Sequence, residues 1–273
     1  MTNKLSEGYV TVNGKKIFSS NNNLTLCEIE SLAEVQGLKD LINLKSLTIN
    51  GLYLRRIDNL ENLKNLEFLV INKSEYLNKI ENLDHLTNLK LLDLSDNCIT
   101  KIEGLDNLMN LERIYLNENR ISEIEGLENL ANLKVLSLST NKITKIENLE
   151  NLNGLEILNL NSNNIKEIIG LDRLINLREL YLGGNKIYDI EGLDTLIHLK
   201  TLDLGANIIP KIQNLEKLEK LEFLDLAINK IKEVEGIDNL VNLKTLHIFG
   251  NLISPNSLKI LDDMSEKGVT VHS

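Results

Sequence analysis

Apolar residues return along this chain at two alternating spacings, and the whole pattern then repeats. From Leu89 it reads Leu89, Leu92, Leu94, Asn97, Ile99, Ile102, Leu105 and Leu108. Shifted by 22 positions it reads Leu111, Ile114, Leu116, Asn119, Ile121, Ile124, Leu127 and Leu130. The same frame reopens at Leu133, Leu155, Leu177, Leu199, Leu221 and Leu243 without a slip. Backwards, Leu66 opens a unit one residue longer, and Leu44 opens another of 22. A fixed period of this size marks a stacked-repeat architecture.

Each unit has two halves. Around Leu92 and Leu94 the apolar residues alternate, which describes a short strand with one buried face. After the Asn they come three apart, as in Ile99, Ile102, Leu105 and Leu108. In an α-helix that spacing drifts by about 60° per step, so the fourth residue would face away from the first. A backbone near three residues per turn keeps all four inward, which predicts 3-10 turns and loops in place of full helices. No unit can bury its own leucines, so neighbours must stack into one core. The predicted fold is α/β in class: a curved, right-handed solenoid with a concave parallel β-sheet and a convex side of 3-10 turns and loops.

The Asn column, from Asn97 and Asn119 through Asn251, falls where the chain leaves the strand. A buried amide there can satisfy backbone groups that the turn leaves unpaired, so the column is expected to be architectural. Leu52 and Ser74 replace Asn in the first two units, and the extra residue lies near Ser74, which predicts an irregular outline there.

The ends carry covers. Tyr9–Val12, Asn13-Gly14 and Lys15–Phe18 spell a hairpin with a type I′ turn. Leu24 and Leu26 then start a shortened first coil. Ser254-Pro255 reads as a helix start, with Leu258, Leu261 and Met264 on one face and Gly268 after its end. Val269–Val271 reads as a last parallel strand. A single domain over 1–273 is expected: a cap and shortened coil over 1–43, repeats over 44–253 and a helix–strand cap over 254–273.

The wording L-x-x-L-x-L-x-x-N-x-L makes the chain resemble the leucine-rich-repeat proteins. Lys101-Ile102-Glu103-Gly104-Leu105 and Lys145-Ile146-Glu147-Asn148-Leu149 resemble in particular the 22-residue, phosphatase-regulator-like class. That resemblance implies an intracellular, non-enzymatic interaction protein. It also implies binding of a protein phosphatase catalytic subunit through the strand-middle column, with Tyr181 and Asp225 matching the family's strand wording. Exported adhesins share the repeat length and form the alternative, although their repeats usually carry Pro before a return-side Leu, where this chain has Gly or Asn.

Composition narrows this further. A net charge of −10 and the lack of a basic stripe argue against nucleic acid as partner. No stretch approaches the ~18 consecutive apolar residues of a membrane span, and Met1–Tyr9 has no apolar leader core. A cytoplasmic location is therefore expected. Cys27 and Cys98 fall three coils apart, about 14 Å at ordinary strand spacing. A disulfide needs Cα atoms within about 7 Å, so both should be free thiols. Asn23-Leu24-Thr25 and Asn72-Lys73-Ser74 are sequons that an Asn-rich chain produces by coincidence.

Chemistry is sparse. His85, His198, His247 and His272 occupy different repeat positions, so no metal site or triad is expected from them. Phosphate-binding loops, nucleophile elbows and H-E-x-x-H are missing, and neither an enzyme nor a cofactor is expected. The Glu column of Glu81, Glu103, Glu125, Glu147, Glu191 and Glu235, often two residues after Lys, reads as a solvated charge row. Gly183-Gly184 reads as tight packing at a turn.

The strand face opposite the leucines is where function should lie. Its middle column includes Asp93, Tyr115, Tyr181, Asp203, Asp225 and His247. The flanking column includes Phe68 and Phe223, and Phe249 follows the last repeat strand. A fold needs no aromatic residue on an open sheet face, so these nine are the candidate contacts for another protein of unknown identity.

Overall fold

The computed structural model describes residues 8–273. The stretch searched for a leader begins in residues 1–7, which lie outside the described residues. Contacts divide the chain into two compact units, one of residues up to 121 with 125–133, the other of 122–124 with 134–273.

The first unit opens with an antiparallel hairpin of β1 (Tyr9–Val12) and β2 (Lys15–Phe18). Its turn places Asn13 and Gly14 at φ 49° and 75°, both positive as a type I′ turn requires. Val10 is fully buried, and Thr11 exchanges two backbone hydrogen bonds with Gln36, so the hairpin covers the return limb of the first coil. Parallel strands follow: β3 (Asn23–Cys27), β4 (Ser46–Asn50), β5 (Phe68–Asn72), β6 (Leu91–Asp93) and β7 (Arg113–Tyr115). They pair in sequence order, with Leu24 beside Leu47 and Leu92 beside Ile114.

The second unit repeats the arrangement with β8 (Val135–Ser137), β9 (Ile157–Asn159), β10 (Glu179–Tyr181), β11 (Thr201–Asp203), β12 (Phe223–Asp225) and β13 (Thr245–His247). Leu136, Leu158, Leu180, Leu202, Leu224 and Leu246 lie side by side and are fully buried. Each unit is a repeat solenoid of short parallel strands, as the periodicity predicts.

The return limbs are built as the spacing of three requires. Leu86 N–H donates to Leu83 O and Leu89 N–H to Leu86 O, consecutive i→i+3 bonds that recur in coil after coil. Burying a leucine completely contributes roughly 1.5–3 kcal/mol, so stacking supplies most of what holds a coil in place.

Three kinds of Asn or Gly stitch one coil to the next. In the strand-exit column, Asn185 Nδ2 donates to Leu160 O and Leu182 O, while its Oδ1 accepts from Ile165 N–H. Ahead of β10, Asn176 Nδ2 donates to Asn153 O, and Asn88, Asn110 and Asn242 do the same in their coils. The third explains the Glu-Gly-Leu and Glu-Asn-Leu wording. That position has positive φ, and a Cβ on Gly192 would lie 2.2 Å from Ile168 O. Where Asn148 stands instead, its amide donates to the equivalent carbonyl of Ile124 at 2.7 Å.

Ser74 stands in for Asn near the extra residue: its Oγ donates to Leu54 O and accepts from Leu77 N–H. The Glu column pairs between coils. Lys101 reaches Glu125 at 3.3 Å, in the following coil and not Glu103 two residues on, and Lys211 likewise reaches Glu235 in the following coil at 3.2 Å. In an extended limb the neighbouring coil is closer than a residue further along the chain.

The carboxyl-terminal cover is helix α1 (Pro255–Glu266), N-capped by Ser254 Oγ accepting from Ser257 N–H, with Gly268 at φ 94° beyond its end. It leads to β14 (Thr270–His272), parallel to β13 and one residue later than expected. Leu261 is buried, but Leu258 is 46% exposed. Its expected place is taken by Ser257, whose Oγ accepts from Val234 N–H and donates to Glu233. A polar edge of the last coil needed partners more than it needed a leucine. Cys27 and Cys98 are free thiols, as expected.

Candidate functional site

Short strands that bury every second residue leave the residues between them on an open face. In the first unit, Phe68 is exposed beside Leu91, and Asp93 stands in register with Tyr115. Asp93 Oδ1 accepts from Ser95 N–H at 2.9 Å, which holds the carboxylate at the strand end.

In the second unit, Tyr181, Asp203, Asp225 and His247 form one row across four neighbouring strands. Tyr181 Oη donates to Glu179 Oε2 at 2.7 Å. Burial of the phenol, helped by that bond and by the charges of Glu179 and Asp203, pushes its pKa up to about 12. Asp203 is held by neutral donors, Gly205 N–H at 2.9 Å and Asn161 Nδ2 at 3.0 Å. Burial raises its pKa above the ordinary carboxylate value against the pull of those donors, and the charge of Asp225 adds to the rise. Asp225 Oδ1 accepts from Ala227 N–H at 2.8 Å, and its Oδ2 lies 3.0 Å from His247 Nδ1.

The Gly residues at the strand exits seat these carboxylates. A Cβ on Gly183 would lie 2.8 Å from both Asp203 oxygens. One on Gly205 would lie 2.9 Å from Asp225 Oδ1 and 3.3 Å from Asp203 Oδ1. The tight packing expected of Gly183-Gly184 is thus room for a carboxylate from the next coil.

Phe223 packs edge-on to His247 with ring centroids 5.0 Å apart, and Phe249 lies 6.4 Å from His247 with its ring tilted. His272 adds a fourth ring, perpendicular to His247 at 4.7 Å. Strand β14 aligns His272 with His247, so these two rings meet although no metal site or triad was expected of the histidines. The repeat frame ends before His272, so periodicity could not place it. Glu179 and Asn161 were also missed as site residues; their signal is the i, i+2 rule, which puts Glu179 on the face of Tyr181 and Asn161 after Asn159.

Among the described residues there is no group of three or more His, Cys, Asp or Glu side chains that could hold a metal ion. No helix among them is long and apolar enough to cross a membrane. The site offers a cluster of tilted aromatic rings, the carboxylates of Glu179, Asp203 and Asp225, and a tyrosine on neighbouring strands.

No curated protein matches the sequence. The model for leucine-rich repeats in two copies matches residues 87–129, 131–173 and 175–217. An internalin of Listeria monocytogenes is 26% identical, with a TM-score of 0.73 over 92% of this chain and 86% of its own. A leucine-rich-repeat protein of Leptospira interrogans is 25% identical, with a TM-score of 0.69 over 86% and 68%. Internalin C2 of Listeria monocytogenes is 31% identical, with a TM-score of 0.59 over 65% of this chain and 78% of its own. With its repeat register, strand pairing and Asn ladders, this chain belongs to the leucine-rich-repeat proteins.

Proposed function

We propose that this chain is a non-enzymatic scaffold that binds another protein on its open strand face. The observation that carries the reading is the aromatic group of the second unit, where half-buried Phe223 and His247 and exposed Phe249 gather beside Asp203 and Asp225. Interfaces concentrate their energy in such aromatic anchors. Affinity capture from extract of the cell that makes the protein tests it. A partner retained by the unaltered chain should be lost with Phe223→Ala and Tyr181→Ala together, the double variant melting like the parent. A partner held equally by the double variant would sink the reading.

The Lys-Ile-Glu-Asn-Leu wording supports a narrower form, a cytoplasmic regulator of a protein phosphatase. Co-sedimentation with a purified phosphatase catalytic subunit decides it, and absence of a complex at micromolar concentration would retire it.

A further inference from the structure

At the strand exit of β12 one residue is placed against its own preferences. Ile228 has φ 56° and is 56% exposed. A β-branched side chain strains a left-handed backbone, and an exposed isoleucine gains nothing from burial. Other coils use polar residues, alanine or glycine there, as in Ser162, Gly184 and Ala206. Nothing in the fold requires isoleucine at this place.

What surrounds it is continuous with the open face. Ile228 N–H donates to Phe249 O at 2.8 Å, and Ile228 Cγ1 lies 3.1 Å from where a Cβ on Gly250 would be. Phe249 is itself 44% exposed and borders His247. One step away, Asp203 and Asp225 are in register on adjacent strands, and both turn an oxygen towards Gly205. Like charges directly opposite each other destabilise a sheet. Asp225 has the imidazole of His247, while Asp203 has only neutral donors. A cation placed over the pair would relieve that repulsion, and the net charge of −10 would draw it in.

Resting on the scaffold reading above, the geometry points to a partner of defined chemistry: a protein segment with an arginine or lysine adjacent to a bulky apolar side chain. The cationic head sits over Asp203 and Asp225. The apolar side chain lies on Ile228 and Phe249, against the edge of His247.

A random dodecapeptide library displayed on phage, selected on the full chain, tests this. Peptides should be enriched that carry Arg or Lys within about two positions of Phe, Leu or Trp. Their affinity should fall at least tenfold for Asp203→Asn combined with Asp225→Asn, and weaken as salt rises. It should also fall for Ile228→Gly, which relieves the backbone and cannot act by unfolding the chain. Peptides that need Phe223 but carry no basic residue, or that ignore both Asp changes while the variant melts normally, would overturn the inference and leave the scaffold reading standing. Peptides indifferent to Phe223, Asp203, Asp225 and Ile228 alike, or no enrichment at all, would overturn it too, whereas the scaffold reading is decided separately by the capture experiment.

Discussion

Tyr181 donates its hydroxyl proton to Glu179 at 2.7 Å, both side chains rising from the same face of β10. Losing that proton would put a phenolate beside a carboxylate, with Asp203 on the next strand adding to the cost. One of the six tyrosines should therefore ionise late, near pH 12, in an absorbance titration at alkaline pH. The late component should vanish in Tyr181→Phe. A pKa raised in the folded state contributes stability that is whole below the ordinary value of 10.0 and is lost as pH climbs towards 12.

Asp203 is the acidic counterpart. Its pKa is raised, so folding favours the protonated form, and the burial of its charge is a cost at neutral pH that fades as pH falls towards the ordinary value. Asp203→Asn keeps an acceptor for Gly205 N–H and removes the charge. Its melting temperature should exceed the parent's at pH 7, with the gap narrowing towards pH 4. A variant less stable by the same amount at both pH values would show that the contact with Asn161 outweighs the repulsion.

Asn185 satisfies donors and acceptors of two coils at once. Asn185→Ala leaves Ile165 N–H without its partner in a buried turn, while Leu160 O and Leu182 O each lose one of two amide donors and keep those of Asn163 and Asn207. At roughly 1–3 kcal/mol for the one orphaned donor, a loss of about 2 kcal/mol is expected in urea unfolding. Asn176, which is exposed and makes a single such bond, should cost about 1 kcal/mol or less on the same change.

Gly192 and Gly236 share one repeat position and a positive φ, but not the same room. A Cβ would meet a carbonyl oxygen at 2.2 Å in the first and 3.5 Å in the second. Gly236→Ala should cost only the left-handed backbone, about 1 kcal/mol. Gly192→Ala must also displace Ile168 O and should cost about twice that or more. Equal midpoints for the two variants would contradict the close approach of the coils.

Ile228→Gly should raise the melting temperature by relieving a strained turn, a gain of about 1 kcal/mol. An engineered change that stabilises the chain while weakening its peptide ligands would separate what the residue does for folding from what it does for binding.

Much of this molecule was legible in its sequence because its contacts repeat. Leu180 meets Leu158 and Leu202 since a residue one period away occupies the same place in the next coil. The period thus turns a long-range contact into a local rule, and strands, return turns, the Asn97-to-Asn251 column and the alignment of Tyr181, Asp203, Asp225 and His247 followed from it. Tertiary structure decided what the period does not reach. Lys101 chose Glu125 in the following coil over its own Glu103, because side chains pair across the shortest gap in space. Leu258 went to solvent and Ser257 inward, because the last coil presents backbone groups that only a hydroxyl could satisfy. His272 joined His247 because α1 returns the chain to the sheet edge outside the repeat frame. The crowding of Asp203 and Asp225 around Gly205 needed side-chain atoms from two neighbouring coils to be placed together, and spacing along the chain does not give their distances.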